Sequence, residues 1–234
     1  MELGDAAWNC LIRDGGERLG VQVSDAQLAL LAAHATELLR WNRKTNLTAI
    51  TNPEEIAVKH VLDAFAALPV LPLHAALLDI GSGGGYPGLV LKIMRPELTV
   101  LLIDSIRKKV SFLSHVIRML GVSNIAALYT RAETLANDSR DKPAFNVIVC
   151  RALCELSAFV SMSLPLLAPG GKLIAYKGRF SETQAELARL APFFEHANPD
   201  MLLMDDQRLA LSLETYQLPF IDSERTLAIF QRRD

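Results

Sequence analysis

Five glycines, Gly81, Gly83, Gly84, Gly85 and Gly88, crowd the stretch LLDIGSGGGYPG (77–88) directly behind an apolar run. Such density lets a ligand approach the backbone, because no Cβ stands in the way. A loop that leaves a buried strand and opens a helix also offers unpaired N–H groups and a positive helix end. A Walker loop needs Lys and Ser/Thr after its last glycine, and Leu89 and Val90 stand there instead. Two frames remain. From Gly83 the segment satisfies G-x-G-x-x-G, the dinucleotide fingerprint, with residues 79–82 as an unexplained lead-in. From Asp79 it reads D-x-G-x-G-x-G over Gly81, Gly83 and Gly85, with an acid at the strand end. Asp104 ends the next apolar run, where a carboxylate can accept both hydroxyls of a ribose in either frame.

Further along, TRAETL places Ala132 and Glu133 in the loop after a third apolar run. Arg151 and Lys177 each end an apolar run, on the edge where open α/β sheets bind ligands. A guanidinium at 151 suits a carboxylate, a phosphate or guanine O6, and the ammonium at 177 a base or phosphate. Cys150 and Cys154 have no zinc half-site spacing, and no neighbour in sequence lowers the Cys150 pKa, so both read as half-buried thiols. None of the five histidines has metal-ligand spacing, so no metal is expected, and His60 reads as structural. Arg43, Lys44, Lys59, Arg107, Lys108 and Arg179 are candidate nucleic-acid contacts. The basic residues at 107–109 open a helix, where the dipole disfavours cations. Asn46 either bonds a base or braces its loop; Tyr86 and Trp41 are candidate base-stacking rings, Trp41 more readily a core residue.

The elements that must position these groups fall into two parts. Residues 1–72 read as a helical extension: Ser24 caps a helix running to about Arg43, and Asn52 with Pro53 starts another reaching about Leu68. Residues 73–234 read as an α/β core with strands at 77–80, 99–103, 125–129, 146–150 and 172–176. Helices start near Pro87, Ile106, Glu155 and Ser181. Strands without polar alternation predict a mostly parallel sheet with helices on both faces. Two tail strands, 209–218 and 227–231, are joined by a connection short enough to make an antiparallel pair at the sheet's end.

The chain has 234 residues, half of them hydrophobic, and a formal net charge of −2. That balance argues against coating nucleic acid by bulk charge, and leaves room for a local basic patch. No apolar run has the length of a membrane span, and the first residues lack the basic start and apolar core of a secretory signal. Three cysteines without repeated spacing suit a reducing cytoplasm, and nothing demands more than a monomer.

Several segments together, in order, resemble one family, the bacterial 16S ribosomal RNA guanine-N7 methyltransferases historically called glucose-inhibited division protein B. They are WNRKTNLTAI (41–50), KHVLDA (59–64), DIGSGGGYPG (79–88), DSIRKKVSFL (104–113), RAE (131–133), CRA (150–152) and YKG (176–178), with the tail LPFIDSERTLAIF. The frame from Asp79 resembles the first motif of Rossmann-like methyltransferases that use S-adenosylmethionine, in which methionine lies over the glycines. The resemblance implies methyl transfer to N7 of a guanine in the 530 loop of 16S rRNA, met within the small subunit or an assembly intermediate. It implies cofactor contacts at Gly81, Tyr86, Ala132, Glu133 and Arg151. Cys150 and Ala64 stand where serines are common in the family. A methyltransferase with the same cofactor site acting on another RNA, a protein or a small molecule is the alternative. Guanine N7 carries a lone pair and no proton, so this chemistry needs alignment and no general base. Accordingly VIVCRALCE carries neither the Asn/Asp-Pro-Pro-aromatic run of adenine-N6 enzymes nor the Pro-Cys of cytosine-C5 enzymes.

Overall fold

The computed structural model describes residues 1–137, 144–195 and 198–233. The extension comprises α1 (Ala6–Arg18), α2 (Asp25–Thr45), α3 (Pro53–Ile56), a π-helical segment (Ala57–Leu62) and α4 (Asp63–Phe65). Ser24 and Gln27 form a capping box at the start of α2, and Asn52 accepts from the N–H groups of Glu54 and Glu55 ahead of Pro53 at the first turn of α3.

The core alternates β1 (Ala76–Ile80), α5 (Gly88–Met94), β2 (Thr99–Asp104), α6 (Arg107–Leu120), β3 (Ile125–Tyr129), α7 (Ala132–Asn137), β4 (Phe145–Arg151), α8 (Leu156–Ser163), β5 (Leu167–Lys177) and α9 (Phe180–Leu187). It closes with β6 (Phe194–Glu195), β7 (Asn198–Met204), β8 (Gln207–Gln217) and β9 (Glu224–Arg233). The nine strands form one sheet in the order β3-β2-β1-β4-β5-β9-β8-β7-β6. β1 to β5 run parallel, and β9 joins β5 antiparallel from Lys172↔Gln231 to Lys177↔Thr226.

The expected α/β class and its antiparallel tail pair, β8 with β9, are present. The sheet does not end there, however, because β7 and β6 extend it. The sequence reading places no strand there: the one apolar run, Met201–Met204, is short and follows Asn198, Pro199 and Asp200. Ala132 and Glu133 also differ from expectation, forming the first turn of α7 and not a loop.

Side chains alternate across the sheet. Leu77, Val147, Val149 and Ile174 join the extension, α5 and α6 in one apolar cluster, while Leu78, Ile148, Leu173 and Phe230 join α8 in the other. Trp8, Leu31 and Leu38 are fully buried in the first cluster, so the extension completes one face of the core. Among the described residues no helix is long and apolar enough to cross a membrane.

Gly88 shows how tightly this face closes on the glycine loop. A Cβ there would stand 2.5 Å from Leu102 Cδ2 and 2.6 Å from Asp79 Oδ2. Gly88→Ala is therefore expected to destabilise the fold by about 1–3 kcal/mol through overpacking, read as a lower urea midpoint. A midpoint equal to the wild type would show that the contact relaxes freely.

Candidate functional site

The backbone bonding of the loop decides between the two frames left open by its glycines. Gly81 and Ser82 both donate to Ile103 O, at 2.9 and 3.0 Å, and Gly85 donates to Ser82 O at 2.7 Å. Gly83 N–H donates to Asp104 Oδ2 at 3.0 Å, and Gly88 N–H to Asp79 Oδ2 at 2.9 Å. A diphosphate cradle needs such donors free. Here they are engaged inside the protein, and the start of α5 already faces the Asp79 carboxylate. Asp79 is fully buried, so it braces the loop from beneath and does not reach the cleft; burial pushes its carboxyl up to about 7.

The cleft lies over the carboxyl ends of β1, β2 and β3 and encloses 200 Å³. Of the residues expected to hold a cofactor, Gly81, Asp104, Ala132 and Glu133 line it, and Ser105, Leu153, Cys154 and Met162 join them. Asp104 accepts from Gly83 N–H through Oδ2 and from Ile106 N–H, at 2.8 Å, through Oδ1. Each oxygen keeps a lone pair for a ribose hydroxyl. Gly81 lies at φ +74, and Leu153 rests where its Cβ would be, with Cδ1 2.7 Å from that point. Leu153 is 40% exposed and follows Ala152 at φ 52, so it covers the glycine floor as a movable side chain. The lining fits S-adenosylmethionine: Asp104 would accept from the ribose, Ala132, Glu133 and Met162 would flank the adenine, and Gly81 would floor the methionine once Leu153 turns aside.

Gly83 and Gly85 shape the loop, at φ 54 and φ 89, without lining the cleft. The Tyr86 side chain does not line it either, and no base can stack on the ring. Both faces are covered by histidines, His34 at 4.7 Å and His60 at 4.6 Å between centroids. His34, on α2, has its Nε2 2.7 Å from Gly84 O and so donates to it, tying the extension to the loop.

Arg151 and Lys177 lie across the 151–154 turn from the cleft, in a second cavity. Arg151 is clamped by the extension: Nη1 donates to Lys59 O at 2.9 Å and Asp63 Oδ2 at 3.1 Å, and Nη2 to His60 Nδ1 at 3.0 Å. The widened π-helical segment supplies both Lys59 O and His60. His60 Nδ1 must accept, so its Nε2 carries the proton and donates to Thr48 Oγ1 at 2.9 Å. Tyr216 OH closes the network on Asp63 Oδ1 at 2.8 Å. A contact from Arg151 to the cofactor carboxylate is thus not what this geometry offers. The Lys177 ammonium is also engaged, with Cys154 O at 2.8 Å and Glu186 at 2.6 Å, and holds the turn in place. Cys150 is buried, and burial raises its thiol pKa well above 9.0, the opposite of an activated nucleophile.

Asn46 is exposed at the left-handed C-cap of α2 (φ 52). Of its two alternatives, bracing the loop falls to Asn42, whose Oδ1 accepts from Leu47 N–H and Thr48 N–H at 2.6 and 2.9 Å. Trp41 packs on Phe112 and His115, as a core ring does. Arg43 and Lys44 are exposed beside it around a hollow of 430 Å³. Lys59 pairs with Glu55, Arg107 lies over the Tyr129 ring at 4.5 Å, and Lys108 and Arg179 are exposed.

Sequence reasoning missed Asp63, Arg225 and the role of His60. Arg225 had one usable signal: a charge just before an apolar strand. Because β9 runs antiparallel to β5, its start falls at the carboxyl edge of the sheet.

The two stacked histidines make a pH signature. Burial lowers His34 to about 4; burial, then the charge of Arg151, lowers His60 to about 3. Both are neutral when folded, so the unfolded chain binds more protons below about pH 6.5 and stability is lost as pH falls from there. Asp79, raised by burial, acts oppositely over that window as one group against two. The urea midpoint is expected to be lower at pH 5 than at pH 7, with a smaller difference in His60→Gln. An undiminished difference in that variant would remove His60 as a source.

A parallel sheet whose glycine loop turns its donors inward, with an acid ending the second strand, is the architecture of the S-adenosylmethionine-dependent methyltransferases. The fold agrees: an O-methyltransferase from Bacillus cereus, solved in complex with SAH, superposes with a TM-score of 0.56 at 15% identity, covering 85% of this chain and 90% of that one. Within that class the sequence is more particular. Residues 27–209 match the GidB family, described as rRNA small subunit methyltransferase G. "Ribosomal RNA small subunit methyltransferase G" of Geobacter sp. (strain M21) is 44% identical over 76% of this chain and 82% of its own length. The protein of the same name from Geobacter sulfurreducens is 39% identical over 93% and 94%. The chain belongs to the rRNA small subunit methyltransferase G family.

Proposed function

We propose that this protein transfers the methyl group of S-adenosylmethionine to N7 of a guanine in the 530 loop of 16S ribosomal RNA. The observation that carries this reading, given the family, is a set of exposed cations at two neighbouring helix ends, Arg43 and Lys44 at the end of α2 and Arg107 and Lys108 at the start of α6. Leu38 meets the glycine loop, its Cδ1 2.8 Å from where a Gly84 Cβ would be. Arg43 and Lys44 follow five and six residues later, about 8 Å farther along the helix at 1.5 Å per residue. α6 rises beside it: His115 Nε2 lies 3.0 Å from Glu37 Oε2, and Arg107 and Lys108 stand at the end of α6 nearest the cleft. The two helix ends present cations on the ligand-binding edge although the chain as a whole carries −2. A folded RNA in the small subunit or an assembly intermediate, met in the cytoplasm by a monomer, suits that local patch.

The cofactor supplies an electrophilic sulfonium methyl. Guanine N7 offers its in-plane lone pair, so no side chain has to remove a proton before the N–C bond forms and the C–S pair returns to sulfur. The protein's task is to align the reactants and exclude water. Asp104 would fix the ribose, the 151–154 turn separates the cofactor cleft from the second cavity, and Lys177 holds that turn through Cys154 O. No group of the described site is poised as a general base: His60 is neutral but bonded through both nitrogens.

The test supplies labelled S-adenosylmethionine with small-subunit particles from a strain lacking the corresponding gene, and maps the modified nucleotide. Label at N7 of a 530-loop guanine is expected. Label on another nucleotide or on protein would overturn the assignment.

A further inference from the structure

Of the cavities at the carboxyl edge, the one over β4 and β5 has no part in the cofactor site. It encloses 380 Å³ and is lined by Lys59, His60, Asp63, Arg151, Lys177 and Arg225 among others. We propose that it is the subsite of the acceptor nucleoside, and that Arg225 holds the guanine by its O6; this rests on the guanine-N7 reading above.

Three independent features converge on that use. The first is topology. The strand order reverses between β1 and β4, and in open α/β sheets such a switch point divides the ligand-binding crevice. The cofactor cleft takes the ends of β1, β2 and β3, which leaves the ends of β4 and β5 for the second reactant. The second is the wall between the cavities. Arg151 and Ala152 face the β4/β5 cavity while Leu153 and Cys154 face the cleft, so two reactants are separated by a single turn. Displacement of Leu153 by methionine would open the wall where the methyl must cross.

The third is an inventory of charge. Arg151 is held by Lys59 O, Asp63 and His60, Lys177 by Cys154 O and Glu186, and Lys59 by Glu55. Arg225 differs. Its nearest carboxylate oxygen, Asp63 Oδ1, is 4.0 Å from Nε, beyond hydrogen-bond range, and its guanidinium makes no hydrogen bond among the described residues. At 32% exposed, its guanidinium ends the cavity with its donors free.

That placement fits the base. On the edge bearing N7, guanine presents the O6 acceptor and adenine an amino donor. A guanidinium facing that edge accepts guanine and rejects adenine, whose amino group would leave it unpaired. Arginine usually grips N7 and O6 together, but here N7 must attack, so the contact is to O6 alone.

The test measures kcat/KM on gene-deleted small-subunit particles, SAH affinity and melting temperature for the wild type, Arg225→Gln and Arg225→Lys. Arg225→Gln is expected to lose about 100-fold in kcat/KM, the size of one charged hydrogen bond made in the transition state, with SAH affinity within about twofold. Arg225→Lys keeps the charge without the fork and is expected to lose about tenfold. If Arg225→Gln does not fold, the lysine variant decides. Unchanged kcat/KM, or an equal loss of SAH affinity, overturns the subsite while the wild type still methylates the guanine. Wild-type label on another atom overturns the guanine reading, and the subsite with it.

Discussion

Arg151→Ala is expected to abolish detectable methyl transfer and to lower stability by about 3 kcal/mol. The side chain is 16% exposed and Asp63 opposite it 9%, so this ion pair is largely removed from water. Deleting one partner of such a pair costs about 3–5 kcal/mol, because the remaining charge is left without compensation. The lower end applies here, since Tyr216 OH still donates to Asp63 and Arg225 stays nearby. Lys59 O and His60 Nδ1 lose their donor at the same time. A domain stable by 5–15 kcal/mol survives that loss. The activity does not, because the guanidinium fixes the π-helical segment against the turn that divides the two cavities. Labelled-methyl transfer and urea unfolding read the two effects separately. Near-normal turnover in the variant would remove Arg151 from the site.

Asp104→Asn should weaken S-adenosylmethionine binding by about 100-fold while leaving the fold in place. The amide keeps one acceptor, for Ile106 N–H, but turns its NH2 toward Gly83 N–H, so two donors face each other where a bond of 3.0 Å stood. The ribose loses an anionic acceptor as well. Hydrogen bonds to a charged group are each worth about 1.5–3 kcal/mol, and 100-fold corresponds to about 2.7 kcal/mol. Calorimetric titration with SAH is the measurement. A change below about fivefold would show that the carboxylate shapes the loop without touching the ribose.

Much of this protein is local in sequence and was therefore legible there. The five parallel strands stand where unbroken apolar runs predict them, and the Ser24 and Asn52 caps sit where a hydroxyl or amide meets the first turn. The glycine loop and the acid ending β2 lie close together in the chain, so their spacing alone brings them to one cleft. β7 escaped notice because its apolar run is short and follows turn-forming residues.

The chain by itself determined which strands are buried on both faces, where the loop, Asp104, Arg151 and Lys177 fall on the sheet edge, and which family the ordered segments match. Those properties depend on neighbours a few residues apart, or on the direction of each strand. Only the tertiary structure decided what the edge residues do. Arg151 meets Lys59, His60 and Asp63 across some 90 residues, and Asp63 meets Tyr216 across 153. Hydrogen-bond donors are few per side chain, so a partner brought in by the extension determines whether a cation serves the fold or remains free for a ligand. The glycine loop follows the same rule: its residue pattern allowed two cofactors, and the inward bonding of its N–H groups left one.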